Sequence, residues 1–329
     1  MAKKQAGKLA IIDKSTGKNV TYSRALIATL ILSSKFQKYE KGFIGVMIPT
    51  SAGCALVSAG ALMSGRIPVM INYSTGAEAN ARYAQKKCRF TTIITSKALL
   101  EKINCPVIEG MVLIEDIMDS ITTGDKLKAA LKSKLPAGMI FNLIHKGNED
   151  DTAVILFTSG SEKDPKAVPL SHRNIVANIK NFSDYTGINE SDILLANLVF
   201  FHVFGLTVNL WVALYHGMTM VTYANPLDFQ TVSRIAREEK PTIMVGTPSF
   251  FWGYLQKSDP GDFQTLRLMV AGADKCPDAL REGYLNKHRV ILLEGYGATE
   301  TSPVISVNIP EFNRPGSTGK VIPNVQVRI

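Results

Sequence analysis

The chain has 329 residues, of which 46% are hydrophobic and 20% are charged, with 25 glycines and 15 prolines. This composition is typical of a globular protein with a large buried core, and it excludes a disordered, fibrous or low-complexity chain. The length predicts about two domains, and the net charge of +9 predicts a basic surface.

The basic residues are concentrated near the N-terminus, where the first 50 residues carry a net charge of +7. Such a region suits an anionic membrane face, an acidic carrier protein or a nucleic acid, whereas an ordinary solvated surface is the simpler interpretation. A nucleic acid is not expected, because the basic residues show no nucleic-acid module and no aromatic interleaving. Four scattered cysteines and the lack of a recognisable secretion signal predict a cytoplasmic protein with reduced thiols.

Short apolar runs alternate with helical periods along the first 150 residues. The predicted strands are Phe43–Ile48, Ile67–Ile71 and Thr91–Ile94, and the predicted helices are Ala52–Met63 and Ala77–Lys87. This alternation is typical of a parallel, doubly wound sheet. The polar run at residues 146–151 predicts a boundary between a first α/β subdomain, residues 1–150, and a second, residues 151–329.

The same alternation continues beyond the boundary. The predicted strands are Ala153–Phe157, Met218–Tyr223, Thr242–Val245, Leu266–Val270 and Val290–Leu293, and a helix is predicted over Ser171–Asp184 with Ser171 as its N-cap. The uncharged stretch from Ile193 to Leu227 is long enough to cross a bilayer, but asparagines, histidines and glycines interrupt it. We therefore predict a buried helix followed by a buried strand there.

The strongest chemical signal is the segment Thr158-Ser159-Gly160-Ser161-Glu162-Lys163-Asp164-Pro165-Lys166, which follows a predicted strand. Backbone N–H groups, hydroxyls and a close-approach glycine are suited to bind phosphate oxygens, and Lys166 adds a positive charge. The segment is not a Walker loop, because the second glycine and the Gly-Lys-Ser/Thr ending are missing. On spacing alone, an ordinary polar turn stays an equal alternative.

Two further segments carry weaker signals. In Glu294-Gly295-Tyr296-Gly297-Ala298-Thr299-Glu300, the two glycines leave the Tyr296 ring free to lie against a base, and the Glu300 carboxylate could hold Mg²⁺. The aromatic run Phe200–Thr207 contains His202 and Gly205. Taken singly, the first is usually a turn and the second a core histidine.

In this order, the three segments resemble the signature motifs of the adenylate-forming superfamily of acyl-CoA synthetases, luciferases and peptide-synthetase adenylation domains. The resemblance covers nearly the whole chain and implies an α/β fold: the large N-terminal domain of that superfamily, two stacked αβα subdomains with mostly parallel sheets. Within the superfamily, strings such as Phe157–Glu162 and Val270–Lys275 look like bacterial acyl-acyl-carrier-protein synthetases, with long-chain fatty acyl-CoA ligases as the neighbouring possibility.

The resemblance also implies a role for each motif residue. The residues that would bind the nucleotide are Thr158, Ser159, Gly160, Ser161, Lys166, Ala271, Gly272, Ala273, Gly295, Tyr296, Gly297 and Thr299. The residues that would act in catalysis are His202, Lys166, Thr299 and Glu300, with Glu300 as the Mg²⁺ ligand. Among these, Tyr296 would stack on adenine and His202 would orient the incoming carboxylate.

The implied reaction is ATP-dependent activation of a carboxylic acid to an acyl-adenylate, followed by transfer to the pantetheine thiol of CoA or of an acyl carrier protein. Amino-acid-activating members of the superfamily carry an aspartate soon after the aromatic motif, where it pairs with the substrate ammonium group. This chain has no acidic residue between Asp192 and Asp228, so the resemblance implies that an amino acid is not the substrate. The apolar surroundings of His202 favour a fatty acid. Expected partners are therefore a fatty acid, an acyl carrier protein and the face of a membrane.

Two departures from the superfamily pattern matter. Lys163 and Ala167 stand where the superfamily usually has glycine, which puts nucleotide affinity or loop motion in question. The superfamily's ribose-binding Thr-Gly-Asp, its hinge and its small C-terminal lid domain would lie beyond Ile329, so we expect a truncated large domain. A non-catalytic nucleotide- or acyl-binding module with a degenerate phosphate loop is the alternative.

Overall fold

The computed structural model describes residues 1–158 and 165–328, and this part of the chain forms two compact units. The first unit contains Met1–Lys8 and Val20–Arg173; the second contains Leu9–Asn19 and the chain from Asn174 onward. The division therefore falls after Arg173, and the predicted boundary after residue 150 is wrong. The reason is strand pairing, because the two strands that follow residue 150 complete the sheet of the first unit.

The secondary structure alternates as the sequence predicts. The strands are β1 (Leu9–Asp13), β2 (Lys18–Thr21), β3 (Gly42–Met47), β4 (Arg66–Met70), β5 (Ile93–Thr95), β6 (Met111–Leu113), β7 (Thr152–Thr158), β8 (Lys166–Ser171), β9 (Ile193–Ala196), β10 (Thr219–Thr222), β11 (Ile243–Gly246), β12 (Leu268–Ala271), β13 (Leu292–Gly297), β14 (Val304–Val307) and β15 (Lys320–Val321). The α-helices are α1 (Tyr22–Phe36), α2 (Ala52–Met63), α3 (Ala77–Cys88), α4 (Lys97–Lys102), α5 (Ile114–Asp119), α6 (Thr123–Lys134), α7 (Ala137–Phe141), α8 (His172–Thr186), α9 (Val212–His216), α10 (Phe229–Glu239), α11 (Pro248–Lys257) and α12 (Asp278–His288). A π-helix (Phe204–Trp211) and two short 3₁₀ turns (Thr299–Thr301 and Pro310–Phe312) complete the list.

The first unit is built on a six-stranded sheet in the order β6-β5-β3-β4-β7-β8. Its strands are parallel except β8, which runs antiparallel to β7 at the edge. Helix α2 begins and ends at the predicted residues. Its start is fixed by Ser51, whose side chain accepts a hydrogen bond from the backbone N–H of Cys54 and caps the first turn. The sequence did not predict β8, because the run at residues 166–171 begins with a lysine and contains a proline.

The second unit is built on a nine-stranded sheet in the order β15-β14-β13-β12-β11-β9-β10-β1-β2. The central strands β13, β12, β11, β9, β10 and β1 are parallel, and β14 and β15 add as antiparallel strands at one edge. The α/β fold with mostly parallel sheets is therefore confirmed. Helices α10, α11 and α12 pack on this sheet around a core that includes Phe251, Tyr254, Phe263 and Tyr284.

The uncharged stretch from Ile193 to Leu227 folds as predicted and adds one strand. Strand β9 comes first, the π-helix and α9 follow, and the fully buried strand β10 closes the segment. Among the described residues, no helix is both long enough and apolar enough to cross a bilayer.

Candidate functional site

The candidate site lies at the carboxyl ends of the parallel strands of the second unit. Gly246, the last residue of β11, is in register with Ala271, the last residue of β12, and Ala271 is in register with Glu294 in β13. The segments that follow β12 and end β13 therefore leave the sheet at the same edge. In open α/β sheets this edge is where ligands bind.

A cavity of about 460 Å³ opens at this edge. Its walls come from α8, the π-helix, the ends of β11, β12 and β13, and β14, and they are mainly apolar. The predicted site residues that line it are His202, Gly272, Ala273, Gly295, Tyr296, Gly297 and Thr299. Ala271 lies buried at the end of β12, and Glu300 lies exposed in a 3₁₀ turn; neither is part of the lining.

Gly272, which follows β12, lies close to two of the predicted segments, the aromatic run and the Gly-Tyr-Gly segment. A Cβ at this position would lie 3.1 Å from the Phe204 ring and 3.6 Å from the carbonyl oxygen of Gly295. A larger side chain would therefore fill the space between the aromatic run and the Gly-Tyr-Gly segment. The neighbouring Ala273 adopts a left-handed backbone conformation with φ of +68°, which is strained for a residue with a side chain.

His202 is positioned by the turn that enters the π-helix. Its carbonyl accepts the Leu206 N–H at 2.8 Å, and its ring lies 4.7 Å from the ring of Phe201 between centroids. A Cβ at Gly205 would clash with the carbonyl oxygen of Val199 at 2.1 Å, so only glycine permits this close approach. The His202 ring is open to the cavity, while the surrounding protein atoms lower its pKa because they disfavour the charged form.

Glu294 immediately precedes the Gly-Tyr-Gly segment, and its side chain is only 9% exposed. Arg281 donates a hydrogen bond to its Oε2 at 2.7 Å, and the Gly316 N–H donates to the same oxygen at 3.0 Å. The backbone N–H of Cys276 donates to Oε1 at 3.3 Å. A buried carboxylate with several donors fixes its own backbone, so Glu294 positions the start of the segment that bears Tyr296.

The predicted phosphate segment belongs to the first unit and is described only at its ends. Thr158, the last residue of β7, is in register with Lys166, the first residue of β8. Ser159, Gly160 and Ser161 lie outside the described residues. The segment thus connects two antiparallel strands, and Lys166 is exposed at the start of the second.

Of the two residues that depart from the superfamily pattern, Ala167 and Lys163, the structure describes only Ala167. Ala167 is part of the regular ladder of β8, in register with Phe157, and it has no positive φ. A strand conformation of this kind does not require glycine. Lys163 lies outside the described residues, so the question about the phosphate segment rests on that position alone.

A metal ion fits this site only if nucleotide phosphates and water supply most of its ligands. In the described part of the chain, no group of three or more histidine, cysteine or carboxylate side chains could hold a metal ion. Mg²⁺ at a nucleotide site commonly uses one or two carboxylates together with phosphate oxygens and water. The exposed Glu300 carboxylate is compatible with that arrangement.

Several residues of the site were not predicted from the sequence. Phe182 and Ile188 bring α8 and the loop after it to the cavity wall, and Arg281 anchors Glu294. The apolar face of α8 was the available signal for Phe182, but it reads equally well as core packing. The ion pair of Arg281 with Glu294 could not be predicted from the sequence, because a single arginine on a mainly polar helix does not reveal its partner.

Parallel strands with a cavity at their carboxyl ends, bounded by two glycine-containing segments, define an α/β protein with a small-molecule site at the sheet edge. The whole chain, residues 1–329, matches the AMP-binding enzyme family, and the chain belongs to that family.

Individual relatives agree with this membership. The chain is 28% identical to the acyl-CoA ligase SID4 of Ajellomyces capsulatus, over 92% of this chain and 54% of that protein. It is 26% identical to a long-chain-fatty-acid–CoA ligase of Bacillus subtilis, over 95% of this chain and 61% of that protein. The chain therefore spans somewhat more than half the length of these relatives.

Solved structures show the same fold at lower identity. A benzoate CoA ligase from Burkholderia xenovorans superposes with a TM-score of 0.82 at 21% identity, over 98% of this chain and 64% of that one. The anthranilate CoA ligase AuaEII, in complex with anthranoyl-AMP, superposes with a TM-score of 0.80 at 22% identity, over 97% and 61%. These similarities establish the α/β fold of this chain.

Proposed function

We propose that this chain is the nucleotide- and acid-binding part of an ATP-dependent acid–thiol ligase that activates an apolar carboxylic acid. The observation that carries the proposal is the cavity of the second unit. Among the described residues, its lining contains no aspartate, glutamate, lysine or arginine, and one end reaches His202 and the Gly-Tyr-Gly segment. An apolar chain would bury its surface there, while its carboxylate meets the polar end.

A fatty acid is the substrate that we favour. The cavity volume of about 460 Å³ falls within the range of small-molecule pockets, and its walls are aliphatic and aromatic. Each buried CH₂ group contributes about 0.8 kcal/mol to the binding free energy, so a buried aliphatic chain would strengthen binding considerably. The relative from Bacillus subtilis is a long-chain-fatty-acid–CoA ligase, which supports this class, whereas the benzoate and anthranilate ligases support a flat aryl acid as the competitor.

The proposed roles follow from the positions of the side chains. Tyr296, which is 55% exposed, lines the same cavity as Gly272 and Ala273, and we assign its ring to stack on adenine. The lowered pKa of His202 keeps its ring neutral at neutral pH, so it offers an N–H donor that orients a carboxylate without forming an ion pair. We assign Thr299 to the α-phosphate and Glu300 to Mg²⁺.

The proposed phosphate ligands are in the first unit. Thr158 and Lys166 flank the segment, and we assign Ser159, Gly160 and Ser161 to the β- and γ-phosphates. Lys166 places an ammonium group on an exposed side chain, which suits a polyphosphate. When bound, Mg²⁺ would neutralise part of the phosphate charge, and the chain's own groups would align the reacting oxygen atoms.

The reaction has two steps. A carboxylate oxygen attacks the α-phosphorus of ATP and pyrophosphate leaves, which gives an acyl-adenylate. A pantetheine thiol then attacks the acyl carbonyl carbon, and AMP leaves. CoA is the acceptor that we favour, because the relatives described above are CoA ligases, and an acyl carrier protein is the competing acceptor. We include a cytoplasmic location in the same proposal.

Fatty-acid-dependent exchange of pyrophosphate into ATP tests the activity. The assay is run on the 329-residue chain and on any longer product of the same gene, with benzoate and amino acids as alternative substrates. Exchange with fatty acids but not with amino acids is expected. Exchange with benzoate alone would move the substrate to the aryl acids. ATP binding without exchange by either protein would instead support a binding module with a disabled phosphate segment.

Nucleotide binding by the chain itself tests the adenine site. We expect Tyr296→Ala to weaken ATP binding by about fivefold to tenfold, because aromatic stacking contributes roughly 1 kcal/mol. Tyr215→Ala is the matched control, since Tyr215 is 42% exposed and lies outside the cavity lining. Isothermal titration calorimetry measures both variants. Equal affinities for the two variants would remove Tyr296 from the nucleotide site.

A further inference from the structure

Helix α6 presents an unusual surface in the first unit. Leu127 and Leu131 are 61% and 63% exposed, and they lie four residues apart on the same face of the helix. On the opposite side, Ala129 is buried against Leu30 and Ile31 of α1. The leucine face therefore points away from the core, and no described part of the chain covers it.

Helix α7 and the residues after it add further exposed apolar side chains to the same stretch of the sequence. Met139, Phe141 and Leu143 are 52%, 62% and 49% exposed. Ile144, which follows α7, packs against the cluster formed by Ala129 of α6 with Leu30 and Ile31 of α1. Five of the 17 large apolar side chains exposed in the described residues thus lie within residues 127–143. Scattered exposed side chains are normal, whereas a cluster of this kind marks an interaction surface.

Lysines surround the apolar face. Lys126 and Lys128 flank Leu127 on its two sides, and Lys132 and Lys134 lie in the last turns of α6. None of the four makes an ion pair with a described residue.

Acidic residues are sparse in this part of the sequence. Asp125, the only acidic residue of α6, is paired with Lys35 at 2.9 Å. No acidic residue lies between Asp125 and Glu149 in the sequence, and α5, which contains Glu115, Asp116 and Asp119, ends before α6 begins. The lysines in the last turns of α6 therefore face solvent without an acidic neighbour on their own helix.

The basic N-terminus reaches the same place. The Lys3 ammonium group donates hydrogen bonds to the carbonyl oxygens of Ser133 and Lys134, at 3.0 and 3.2 Å, and so lies at the C-terminal end of α6. Lys4 is exposed beside it in the chain. The N-terminal charge that stands out in the sequence therefore adds to the lysines of α6.

We propose that the face formed by α6, α7 and the N-terminal lysines docks on an anionic lipid bilayer. Leucine, methionine and phenylalanine side chains would enter the boundary between headgroups and acyl chains, while the flanking lysines would reach the lipid phosphates. Apolar groups centred between lysines fit a bilayer surface better than an acidic protein, which would leave the five apolar side chains unmatched. This inference does not depend on the proposed enzyme activity.

Co-sedimentation of the 329-residue chain with vesicles tests the proposal. We expect binding to vesicles of phosphatidylcholine and phosphatidylglycerol, weaker binding at high salt, and little binding to phosphatidylcholine alone. Leu127→Asn with Leu131→Asn should weaken binding by about tenfold or more, since two side chains no longer enter the bilayer. Lys126→Gln with Lys128→Gln should weaken it roughly 25-fold, because each lysine near an anionic surface contributes about fivefold.

Matched double variants elsewhere on the chain serve as controls. Leu227→Asn with Leu285→Asn changes leucines that are 62% and 49% exposed in the second unit, and Lys180→Gln with Lys257→Gln removes the same charge there. Both should bind vesicles as the parent chain does. Circular dichroism and thermal unfolding check that each variant is folded.

Three results would overturn the proposal. One is loss of vesicle binding in the controls equal to that in the α6 variants. Another is a concentration-dependent dimer in sedimentation velocity that the leucine variant abolishes, without vesicle binding by the parent chain. The last is binding of holo-acyl carrier protein, in fluorescence anisotropy, that depends on Leu127 and Leu131 while vesicles are not bound.

Discussion

The two ends of the parallel sheet in the second unit are built in opposite ways. At the amino ends, Asp192, Thr242 and Arg267 immediately precede β9, β11 and β12, three neighbouring strands. Arg267 donates two hydrogen bonds to the Asp192 carboxylate, at 2.8 and 2.5 Å, and Thr242 donates a third at 2.7 Å. At the carboxyl ends, the same sheet carries glycines and an apolar cavity.

The difference teaches where this fold is stabilised and where it leaves room for a ligand. Burial alone would raise the pKa of Asp192, but the hydrogen bonds from Arg267 and Thr242 outweigh it and hold the pKa below its usual range. The charged side chains of the amino ends are thus satisfied within the protein. The carboxyl ends instead present His202 and Tyr296 to the cavity, where an external partner can satisfy them.

The largest expected effect on stability comes from removing the ion pair between Arg267 and Asp192 at the amino ends of the strands. Arg267→Ala leaves the Asp192 carboxylate, which is 3% exposed, without its counter-ion. We expect the free energy of unfolding in urea to fall by about 3–5 kcal/mol, with ATP affinity unchanged while the protein is folded. Arg234→Ala, which removes an exposed i,i+4 pair with Glu238, should cost less than about 0.5 kcal/mol. A large loss of ATP affinity in Arg267→Ala would contradict the separation of the two ends.

The next effect concerns a histidine near the amino end of β13. His288 is 1% exposed, its Nε2 lies 3.0 Å from the Ser258 hydroxyl, and burial lowers its pKa to about 4. An unfolded histidine has a pKa of about 6.5. Between these values the unfolded chain binds the extra proton, so the stabilisation present above pH 6.5 is lost as the pH falls towards 4.

Urea unfolding at several pH values measures this linkage. We expect the free energy of unfolding to fall by about 3 kcal/mol from pH 6.5 to pH 4 through this group. His288→Gln should remove this part of the slope, whereas Ser258→Ala keeps the histidine and should retain it. The same slope in His288→Gln and in the parent chain would show that another group is responsible.

A third prediction addresses the cavity at the carboxyl end. Val208, which is 5% exposed, lies in the π-helix and lines the cavity. Val208→Phe should shorten the preferred fatty acid by about two carbons and weaken binding of the longer acid roughly tenfold, since each CH₂ contributes about 0.8 kcal/mol. Calorimetric titration with fatty acids of increasing length measures the change. Val176→Phe, at a 44% exposed position on α8 outside the lining, should change neither value.

The smallest effect tests whether the carboxyl end also contributes to stability. Thr247 lines the cavity, and its hydroxyl accepts a hydrogen bond from the Phe250 N–H at 3.4 Å as the N-cap of α11. Thr247→Ala should lower the free energy of unfolding by about 1 kcal/mol, and Thr247→Ser should restore most of it, because serine also caps. A loss comparable to that of Arg267→Ala would show that the two ends are not specialised.

Much of the fold could be predicted from the sequence, because buried parallel strands are apolar runs bounded by turn residues. The strands β3, β4, β7 and β10 to β12, and the helices α2, α3 and α8, lie within about two residues of their predicted bounds. The N-terminal strand β1 was missed, since its basic flanks read as surface. The subdomain boundary failed because a polar run marks a loop, and a loop does not reveal which sheet the following strand joins.

The candidate site was likewise predictable from the sequence only in part. The segments containing His202 and Tyr296 were found because their chemistry lies in contiguous sequence, whereas Gly272 was expected only from the family resemblance. The structure brings all three residues to one cavity. The Arg281–Glu294 pair joins residues 13 apart on different elements, so only the folded chain reveals it. The roles of all these residues in binding and catalysis stay predictions.

Strand β1 has a practical consequence for dissecting this protein. Residues 9–19 belong to the second unit although residues 1–8 and 20–173 belong to the first, and β1 pairs in parallel with β10. A fragment that starts at Asn174 would leave β10, whose four residues are all buried, as a bare apolar edge. Such edges recruit other chains and aggregate. A well-behaved excised unit therefore requires residues 9–19, joined by a linker or restored by circular permutation.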